Sequence, residues 1–227
     1  MNKTAVVVGA SRGIGRSIVE QFATIDGMFV HALSRDLEKM NNAFVHLKNV
    51  KCHPFDLSIN VRQQASEIFR TVGSIDFLIN NAGRLINKPF TSLSHDDIEG
   101  CYQTNVIGVM ETVQAAVTHI SDGHIVNISS MGGFQGSVKF SGLSAYSTSK
   151  AAVCSFTELF AEEYKDTKIK MNCLCLGAAQ TEMLAEAFPG YKAPLTANEM
   201  AEYIVDFTLN AHRYLNGKII PVSLSTP

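Results

Sequence analysis

Length, composition and charge limit what this chain can be. Its 227 residues are enough for one sizeable core and too few for two comfortable domains, so we expect a single domain over residues 1–227. A hydrophobic content of 46% with 18% charged residues is typical of a soluble globular protein and argues against disorder. The formal net charge of -2 predicts no nucleic-acid or anionic-membrane partner.

The N-terminus and the cysteines indicate a reducing compartment. Met1-Asn2-Lys3-Thr4 leads directly into an apolar run, which is not typical of a signal peptide, and no apolar run approaches the roughly 20 residues that span a bilayer. We therefore expect a cytoplasmic protein. The five cysteines are Cys52, Cys101, Cys154, Cys173 and Cys175. We interpret them as small buried hydrophobes, because Cys173 and Cys175 alone cannot chelate a metal and the seven histidines show no ligand spacing.

Hydrophobic periodicity predicts an alternation of strands and helices along the whole chain. In chain order the elements are strand 5–8, helix 14–25, strand 29–33, helix 37–47, strand 50–55, helix 61–72, strand 75–79, a helix opened by a capping box at Ser94 and Asp97, helix 106–120, strand 124–128, helix 145–164, strand 169–176, helix 198–211 and strand 218–222. The continuous apolar strands are typical of a parallel sheet covered on both faces. The sequence thus predicts an α/β fold, a doubly wound Rossmann-type sheet of about seven strands.

A glycine-rich turn follows the first predicted strand. The segment Gly9-Ala10-Ser11-Arg12-Gly13-Ile14-Gly15 opens the first helix. Glycine lets a backbone turn tightly and approach a pyrophosphate, which the unpaired N–H groups of a helix N-terminus then attract. The alternative is an ordinary strand–helix turn. Its position at the carboxyl end of a parallel strand favours the phosphate loop.

An ordered series of motifs resembles the short-chain dehydrogenase/reductase family over nearly the full length. The series comprises the glycine loop with its Gly-xxx-Gly-x-Gly spacing, Asp56-Leu57, Asn80-Asn81-Ala82-Gly83, Asn105, Ser130, Tyr146 with Lys150, and Gly177 with Thr181. The resemblance implies an NAD(P)-dependent oxidoreductase that interconverts a small carbonyl compound and its alcohol. It also implies a homodimer or homotetramer, joined through the helix carrying Tyr146 and the helix following Asn105.

The end of the second strand bears on the choice of cofactor. A carboxylate there would hydrogen-bond the ribose hydroxyls of NAD(H) and repel a 2′-phosphate, but the chain has Ser34-Arg35. Arg35 and Arg12 both suit phosphate oxygens, so we expect NADP(H). Asp36 keeps NAD(H) open, because its carboxylate can partly neutralise Arg35.

The resemblance assigns further cofactor contacts. Asp56 would accept a hydrogen bond from the adenine amino group beside Leu57, and Asn81, Ala82 and Gly83 would line the adenosine side. Gly177, Ala179 and Thr181 would lie along the nicotinamide, with Thr181 near its carboxamide. The family has proline before the glycine that matches Gly177. Here Leu176 takes that place and removes a rigid φ restraint.

Tyr146 and Lys150 are the candidate acid/base pair. Their i, i+4 spacing puts both side chains on one face of a helix, and a nearby ammonium stabilises a phenolate. Ser130 ends a strand where a hydroxyl can stabilise charge on the substrate oxygen; Ser129 competes, and the family pattern favours Ser130. The resemblance gives Asn105 a role in holding a water that relays protons to Lys150. No metal is required.

Two segments are expected to shape the substrate site. Residues 131–145 join the two catalytic positions, and residues 183–194 should form a small lid. Phe134, Phe140, Leu184 and Phe188 favour an uncharged, fairly hydrophobic substrate. The main alternative function is a catalytically weak NADP(H)-binding regulator or scaffold of the same fold. The intact set Asn105, Ser130, Tyr146 and Lys150 argues against it.

Overall fold

A seven-stranded parallel sheet lies at the centre of the computed structural model, which describes residues 2–224. In chain order the strands are β1 (Lys3–Val8), β2 (Met28–Ser34), β3 (Val50–Pro54), β4 (Phe77–Asn80), β5 (Asp122–Ser130), β6 (Lys168–Leu176), β7 (Ala179–Gln180), β8 (Leu195–Thr196) and β9 (Ile219–Val222). The large sheet has the order β3-β2-β1-β4-β5-β6-β9, and β7 pairs with β8 separately. The predicted doubly wound α/β fold is confirmed.

Within residues 2–224, eight helices surround this sheet. They are α1 (Gly13–Ala23), α2 (Leu37–Phe44), α3 (Val61–Val72), α4 (His95–Tyr102), α5 (Gly108–Ala116), α6 (Ser144–Glu163), α7 (Glu182–Ala187) and α8 (Ala197–Asn210). Helices α1, α2 and α8 contribute to the core on one face, and α3, α5 and α6 to the core on the other. Within residues 2–224, no helix combines the length and the apolar character needed to cross a membrane.

The first strand shows why the sheet is buried on both sides. Ala5 and Val7 of β1 point into one core, whereas Val6 and Val8 point into the other. Successive strand residues face opposite ways, so a run of apolar residues needs cover on both faces. The unbroken sequence Ala-Val-Val-Val therefore requires the central position that β1 occupies.

The segment between α4 and α5 departs from the sequence-based prediction. The capping box of Ser94 and Asp97 is present and begins α4, as predicted. The chain then passes through one π-helical segment, Gln103–Ile107, directly into α5. The sequence predicted the second helix only from residue 106, because apolar spacing does not reveal a local shift in backbone hydrogen bonding. π-segments inside helices occur often at functional sites.

The strand order reverses between β1 and β4. Strand β1 leads outward to β2 and β3, whereas β4 leads the other way to β5, β6 and β9. Loops that leave in opposite directions at such a point open a crevice at the carboxyl ends of the strands. The glycine turn after β1 and the Asn-Asn-Ala-Gly segment that begins at the end of β4 both border this crevice.

Candidate active site

The crevice is a cleft of about 1090 Å³, and it gathers nearly all of the predicted site residues. The predicted residues that line it are Gly9, Ser11, Arg12, Gly13, Ile14, Ser34, Arg35, Asp56, Leu57, Asn81, Ala82, Gly83, Ser130, Tyr146, Lys150, Gly177, Ala179 and Thr181. The other two, Gly15 and Asn105, are buried behind its wall. Residues far apart in the sequence thus converge on one space large enough for a dinucleotide and a small substrate.

The glycine turn is shaped by close backbone packing. Gly9 has φ +85°, and a Cβ there would lie 2.6 Å from the Cα of Ala82. A Cβ on Gly15 would overlap the carbonyl oxygen of Gly9. Helix α1 begins at Gly13, and the side chain of its N-cap residue, Arg12, does not cap it. Its first N–H groups therefore face the cleft without a side-chain acceptor, as an anion site requires.

The region expected to hold the 2′-phosphate contains both predicted arginines, but Arg12 is engaged elsewhere. Its Nη1 lies 2.6 Å from Oε1 of Glu186 at the end of α7. Arg35 lines the cleft near Ser34, whose hydroxyl donates to Ser11 Oγ at 2.9 Å. Asp36 accepts from the backbone N of Lys39 at 2.9 Å and caps α2. Its carboxylate thus caps α2 and is less available to neutralise Arg35.

Local hydrogen bonds hold the residues that were predicted to line the adenosine side of the cofactor. Asp56 Oδ1 accepts from the backbone N and the hydroxyl of Ser58, at 2.8 and 2.6 Å. Asn81 donates from Nδ2 to the carbonyl of Gly9 at 3.2 Å and so ties the segment after β4 to the glycine turn. Gly83 lies deeper, where an added Cβ would be 3.3 Å from Nζ of Lys150. The predicted cofactor-binding residues and the candidate catalytic group are therefore contiguous.

Burial changes the pKa of Tyr146 and of Lys150 in opposite senses. Desolvation raises the pKa of Tyr146 to about 12, although a hydrogen bond with Ser130 lowers it in part. Desolvation lowers the pKa of Lys150 to about 8. Lys150 Nζ donates to the carbonyl of Ile128 at 2.8 Å and lies 5.9 Å from the centroid of the Tyr146 ring. In this arrangement burial outweighs the acidification of Tyr146 that was expected from Lys150, and the pKa of the phenol stays above its usual value.

The two adjacent serines at the end of β5 have different partners. Ser129 is buried and donates to the carbonyl of Lys150 at 2.8 Å, so it braces the backbone of α6. Ser130 hydrogen-bonds Tyr146 and accepts from the backbone N of Gly132 at 3.2 Å. Of the two, Ser130 is the hydroxyl beside the phenol, which agrees with its choice from the sequence.

Asn105 lies in the π-segment and makes three hydrogen bonds. Its Oδ1 accepts from the backbone N of Arg84 at 2.8 Å, and its Nδ2 donates to the carbonyl of Arg84 at 3.0 Å and to Ser149 Oγ at 2.9 Å. The side chain is fully buried. It therefore joins the segment after β4 to α6 one residue before Lys150, and its side chain fixes the cleft wall rather than lining it.

The two predicted substrate segments do line the cleft, but Phe134, also expected there, packs instead against the apolar cluster of Met131 and Val153. The first segment contributes Met131, Ser137, Val138, Phe140 and Leu143, and the predicted lid contributes Met183, Leu184, Phe188 and Tyr191. The lid contains α7, which Thr181 caps by accepting from the backbone N of Leu184 at 3.2 Å. The backbone before the lid is fixed despite Leu176, since Gly177 N donates to the carbonyl of Val222 at 2.8 Å.

Three residues that matter for this geometry were missed in the sequence. Glu186 was inside the predicted lid, but nothing local indicates an ion pair with Arg12, 174 residues away. Arg84 contributes through its backbone, which carries no sequence signal. Ser149 stands next to Lys150, yet only the π-segment brings Asn105 within 2.9 Å of its hydroxyl.

Comparisons with known proteins agree with this geometry. A family model described as short chain dehydrogenase matches residues 3–192. An uncharacterized oxidoreductase of Staphylococcus aureus (strain MW2) is 30% identical, with 97% of this chain and 96% of that protein covered. The 3-oxoacyl-[acyl-carrier-protein] reductase of Aquifex aeolicus (strain VF5) is also 30% identical, with the same coverage.

A solved structure of a short chain dehydrogenase has a similar fold. The crystal structure of a short chain dehydrogenase from Burkholderia cenocepacia J2315, in complex with NADP, is 26% identical and has a TM-score of 0.87. The structural match covers 97% of this chain and 96% of the Burkholderia cenocepacia chain. The family match extends over most of the sequence and includes the glycine turn, Ser130, Tyr146 and Lys150. This chain therefore belongs to the short-chain dehydrogenase family and is an oxidoreductase.

Proposed function

We propose that this protein is an NADP(H)-dependent oxidoreductase that interconverts a carbonyl group and an alcohol on a small uncharged substrate. Tyr146 is the general acid/base. The observation that carries the proposal is that Tyr146, Ser130 and Lys150 line the same cleft as the glycine turn at the start of α1. A proton donor, an oxygen-binding hydroxyl and an anion-binding helix terminus are thus available to one substrate–cofactor pair.

The cleft supports NADP(H) as the cofactor. No carboxylate ends β2, and Arg35 and Arg12 both line the cleft on the side of Ser34. Guanidinium groups pair well with phosphate oxygens, so they favour a cofactor carrying a 2′-phosphate. The Burkholderia cenocepacia relative was solved with NADP.

In the reducing direction, the cofactor supplies a hydride to the carbonyl carbon when it is bound. Ser130 and Tyr146 hold the carbonyl oxygen by donating hydrogen bonds, which stabilise the negative charge that develops there. Tyr146 then gives its proton to that oxygen. Lys150 is held beside it by the carbonyl of Ile128 and favours the transient phenolate, which recovers its proton from solvent.

The lining of the outer cleft favours an uncharged, apolar substrate. Phe140, Leu143, Leu184 and Phe188 all contribute to it. Apolar walls bind apolar groups by removing both surfaces from water, and they disfavour an unpaired charge. A kinetic screen of ketones and aldehydes should therefore favour hydrophobic, uncharged compounds. A strong preference for polyanionic substrates would contradict this assignment.

We also propose that the protein acts in the cytoplasm as a homodimer or homotetramer. Leu159 on α6 is exposed, as are Ile107 in the π-segment and Met110 on α5. Exposed apolar side chains on the two helices that the family resemblance implicates are suited to contacts between subunits. Sedimentation of the purified chain tests this assembly directly.

Substituting Tyr146→Phe tests the enzymatic role. The substitution removes only the hydroxyl, so turnover should fall by about 100-fold or more, while NADPH affinity stays within about twofold. Tyr164→Phe, at the end of α6 and outside the cleft, is the matched control and should keep full turnover. Unchanged turnover in Tyr146→Phe would favour a regulatory or scaffold protein that binds the cofactor without using this phenol.

A further inference from the structure

Three of the five cysteines meet behind the candidate catalytic lysine. Cys154 on α6 faces Cys173 and Cys175, which lie two residues apart on β6. The Sγ of Cys154 is 3.5 Å from that of Cys175 and 3.9 Å from that of Cys173, and all three sulfurs lie within 4.8 Å of one another. All three are free thiols. The sequence showed only the pair on β6, and the fold adds the third sulfur from α6.

The spacing of the three sulfurs suits one bound ion. For a metal–sulfur bond of about 2.3 Å, a trigonal ion requires neighbouring sulfurs to be about 4 Å apart. The two separations from Cys154 Sγ, 3.5 and 3.9 Å, are close to that value. Small adjustments of side-chain torsions would therefore be enough to place all three sulfurs around a single ion.

The surroundings favour a soft monovalent ion over zinc. Two oxygens lie 3.4 Å from Cys154 Sγ, namely Ser129 Oγ and the carbonyl oxygen of Lys150. The apolar residues of the cluster include Met131, Val153 and Phe134. Structural zinc normally takes four cysteine or histidine ligands, whereas Cu(I), which thiolates also favour, can be held by three sulfurs alone. Cys154 is 9% exposed and the other two are fully buried, so an ion would enter beside Cys154.

We propose that Cys154, Cys173 and Cys175 form a three-sulfur binding site for a soft monovalent metal ion such as Cu(I). Each sulfur that becomes a thiolate releases its proton to solvent, and neither copper nor sulfur changes its oxidation state. The site is separate from the cleft and takes no part in hydride transfer.

Occupation of this site should lower turnover through Lys150. Cys154 is one helical turn after Lys150, and its Sγ lies against the carbonyl of Lys150, which also accepts from Ser129. When Cys154 Sγ rotates toward the ion, it leaves the carbonyl of Lys150, and this change at the backbone that carries Lys150 should alter the hydrogen bond from Lys150 Nζ to Ile128. This consequence rests on the proposed function, whereas ion binding itself does not.

An anaerobic titration with Cu(I) against a chromophoric Cu(I) chelator tests the site. The full-length chain should bind one Cu(I), and X-ray absorption should show a first shell made only of sulfur. Cys154→Ala and Cys175→Ala should each lower the affinity by about 100-fold or more. Cys52→Ala is the matched control, since Cys52 lies on β3 outside the cluster, and it should bind one Cu(I) like the parent.

Turnover measured with and without Cu(I) tests the link to Lys150. In the Cys52→Ala control, Cu(I) should lower turnover about tenfold or more. In Cys154→Ala, turnover should be nearly the same with and without Cu(I). The site would be overturned if the parent chain failed to take Cu(I) from the chelator, if the two cluster variants bound Cu(I) as tightly as the parent, or if the parent bound Zn²⁺ more tightly than Cu(I). Stoichiometric binding without any loss of turnover would overturn only the link to Lys150.

Discussion

Tyr146 and Lys150 show how one physical effect gives two residues different protonation states. Burial penalises the charged form of each, so the pKa of the phenol rises to about 12 and that of the ammonium falls to about 8. At neutral pH, the phenol therefore carries its proton and the lysine remains largely charged. This is the state that carbonyl reduction needs, because the phenol must give a proton in that direction.

The ion pair between Arg12 and Glu186 bears on the choice between NADP(H) and NAD(H). The ion pair between them leaves the side chains 39% and 62% exposed, and a 2′-phosphate would have to displace Glu186 from Arg12. Glu186→Gln should therefore tighten NADPH binding about two- to fivefold, the range of an exposed ion pair, and leave NADH binding unchanged.

Fluorescence titration of the cofactor measures both affinities. Glu20→Gln is the matched control, because Glu20 forms an exposed ion pair with Arg16 on α1 and should alter neither affinity. If Glu186→Gln changed NADPH and NADH binding equally, Arg12 would have no special relation to the 2′-phosphate.

Among the elements, the π-segment Gln103–Ile107 has the clearest structural role. It turns Asn105 inward, where the side chain pairs with both backbone groups of Arg84 and with Ser149. Asn105→Ala leaves the backbone N of Arg84 without this partner and removes one hydrogen bond each from the carbonyl of Arg84 and from Ser149, at about 1 kcal/mol per bond. We expect a loss of at least about 2 kcal/mol in unfolding free energy, together with lower turnover, since the wall around Lys150 loosens.

Chemical denaturation of the variants measures this cost. Ser149→Ala removes one of the three hydrogen bonds of Asn105 and the bond from Ser149 Oγ to the carbonyl of Tyr146, and it should destabilise less than Asn105→Ala, which removes both bonds to Arg84. Equal losses in the two variants would mean that the bonds to Arg84 contribute little to stability.

The sequence predicted some of the secondary-structure elements and missed others. Each strand of the large sheet was predicted within a few residues, because buried parallel strands are continuous apolar runs. The prediction missed β7 and β8, whose two residues each are too few to show a period. It missed the π-segment for a different reason, since a shift in hydrogen bonding leaves the residue pattern unchanged. The ion pair of Arg12 with Glu186 depends on tertiary contact alone.

For the whole molecule, the sheet edge at β3 makes stability depend on pH. His53 on β3 is buried, and its Nε2 lies 2.9 Å from Nδ1 of His31 on β2. Burial, followed by the charges of His31 and Lys51, lowers the pKa of His53 to about 4. Between pH 6.5 and 4 the unfolded chain therefore binds a proton that the folded chain does not, and stability is lost as pH falls through this range.

Removing this histidine should reduce the acid sensitivity. In His53→Gln, the loss of unfolding free energy between pH 6.5 and 4 should be smaller by about 2–3 kcal/mol than in the parent. Part of the dependence of unfolding free energy on pH should remain, because burial also lowers the pKa of His124 to about 4. His46→Gln, at an exposed position, should keep the parental slope. An unchanged slope in His53→Gln would show that His53 titrates normally in the folded chain.

The most direct test of the whole account follows the hydride itself. Purified protein is incubated with a hydrophobic ketone and NADPH that carries deuterium at C4 of the nicotinamide, with each face of the ring labelled in turn. We predict that deuterium from one face appears on the carbinol carbon of the product, and that Tyr146→Phe, which still binds the cofactor, forms no labelled alcohol at a comparable rate. Cofactor binding without deuterium transfer to any ketone or aldehyde of a broad panel would contradict the assignment.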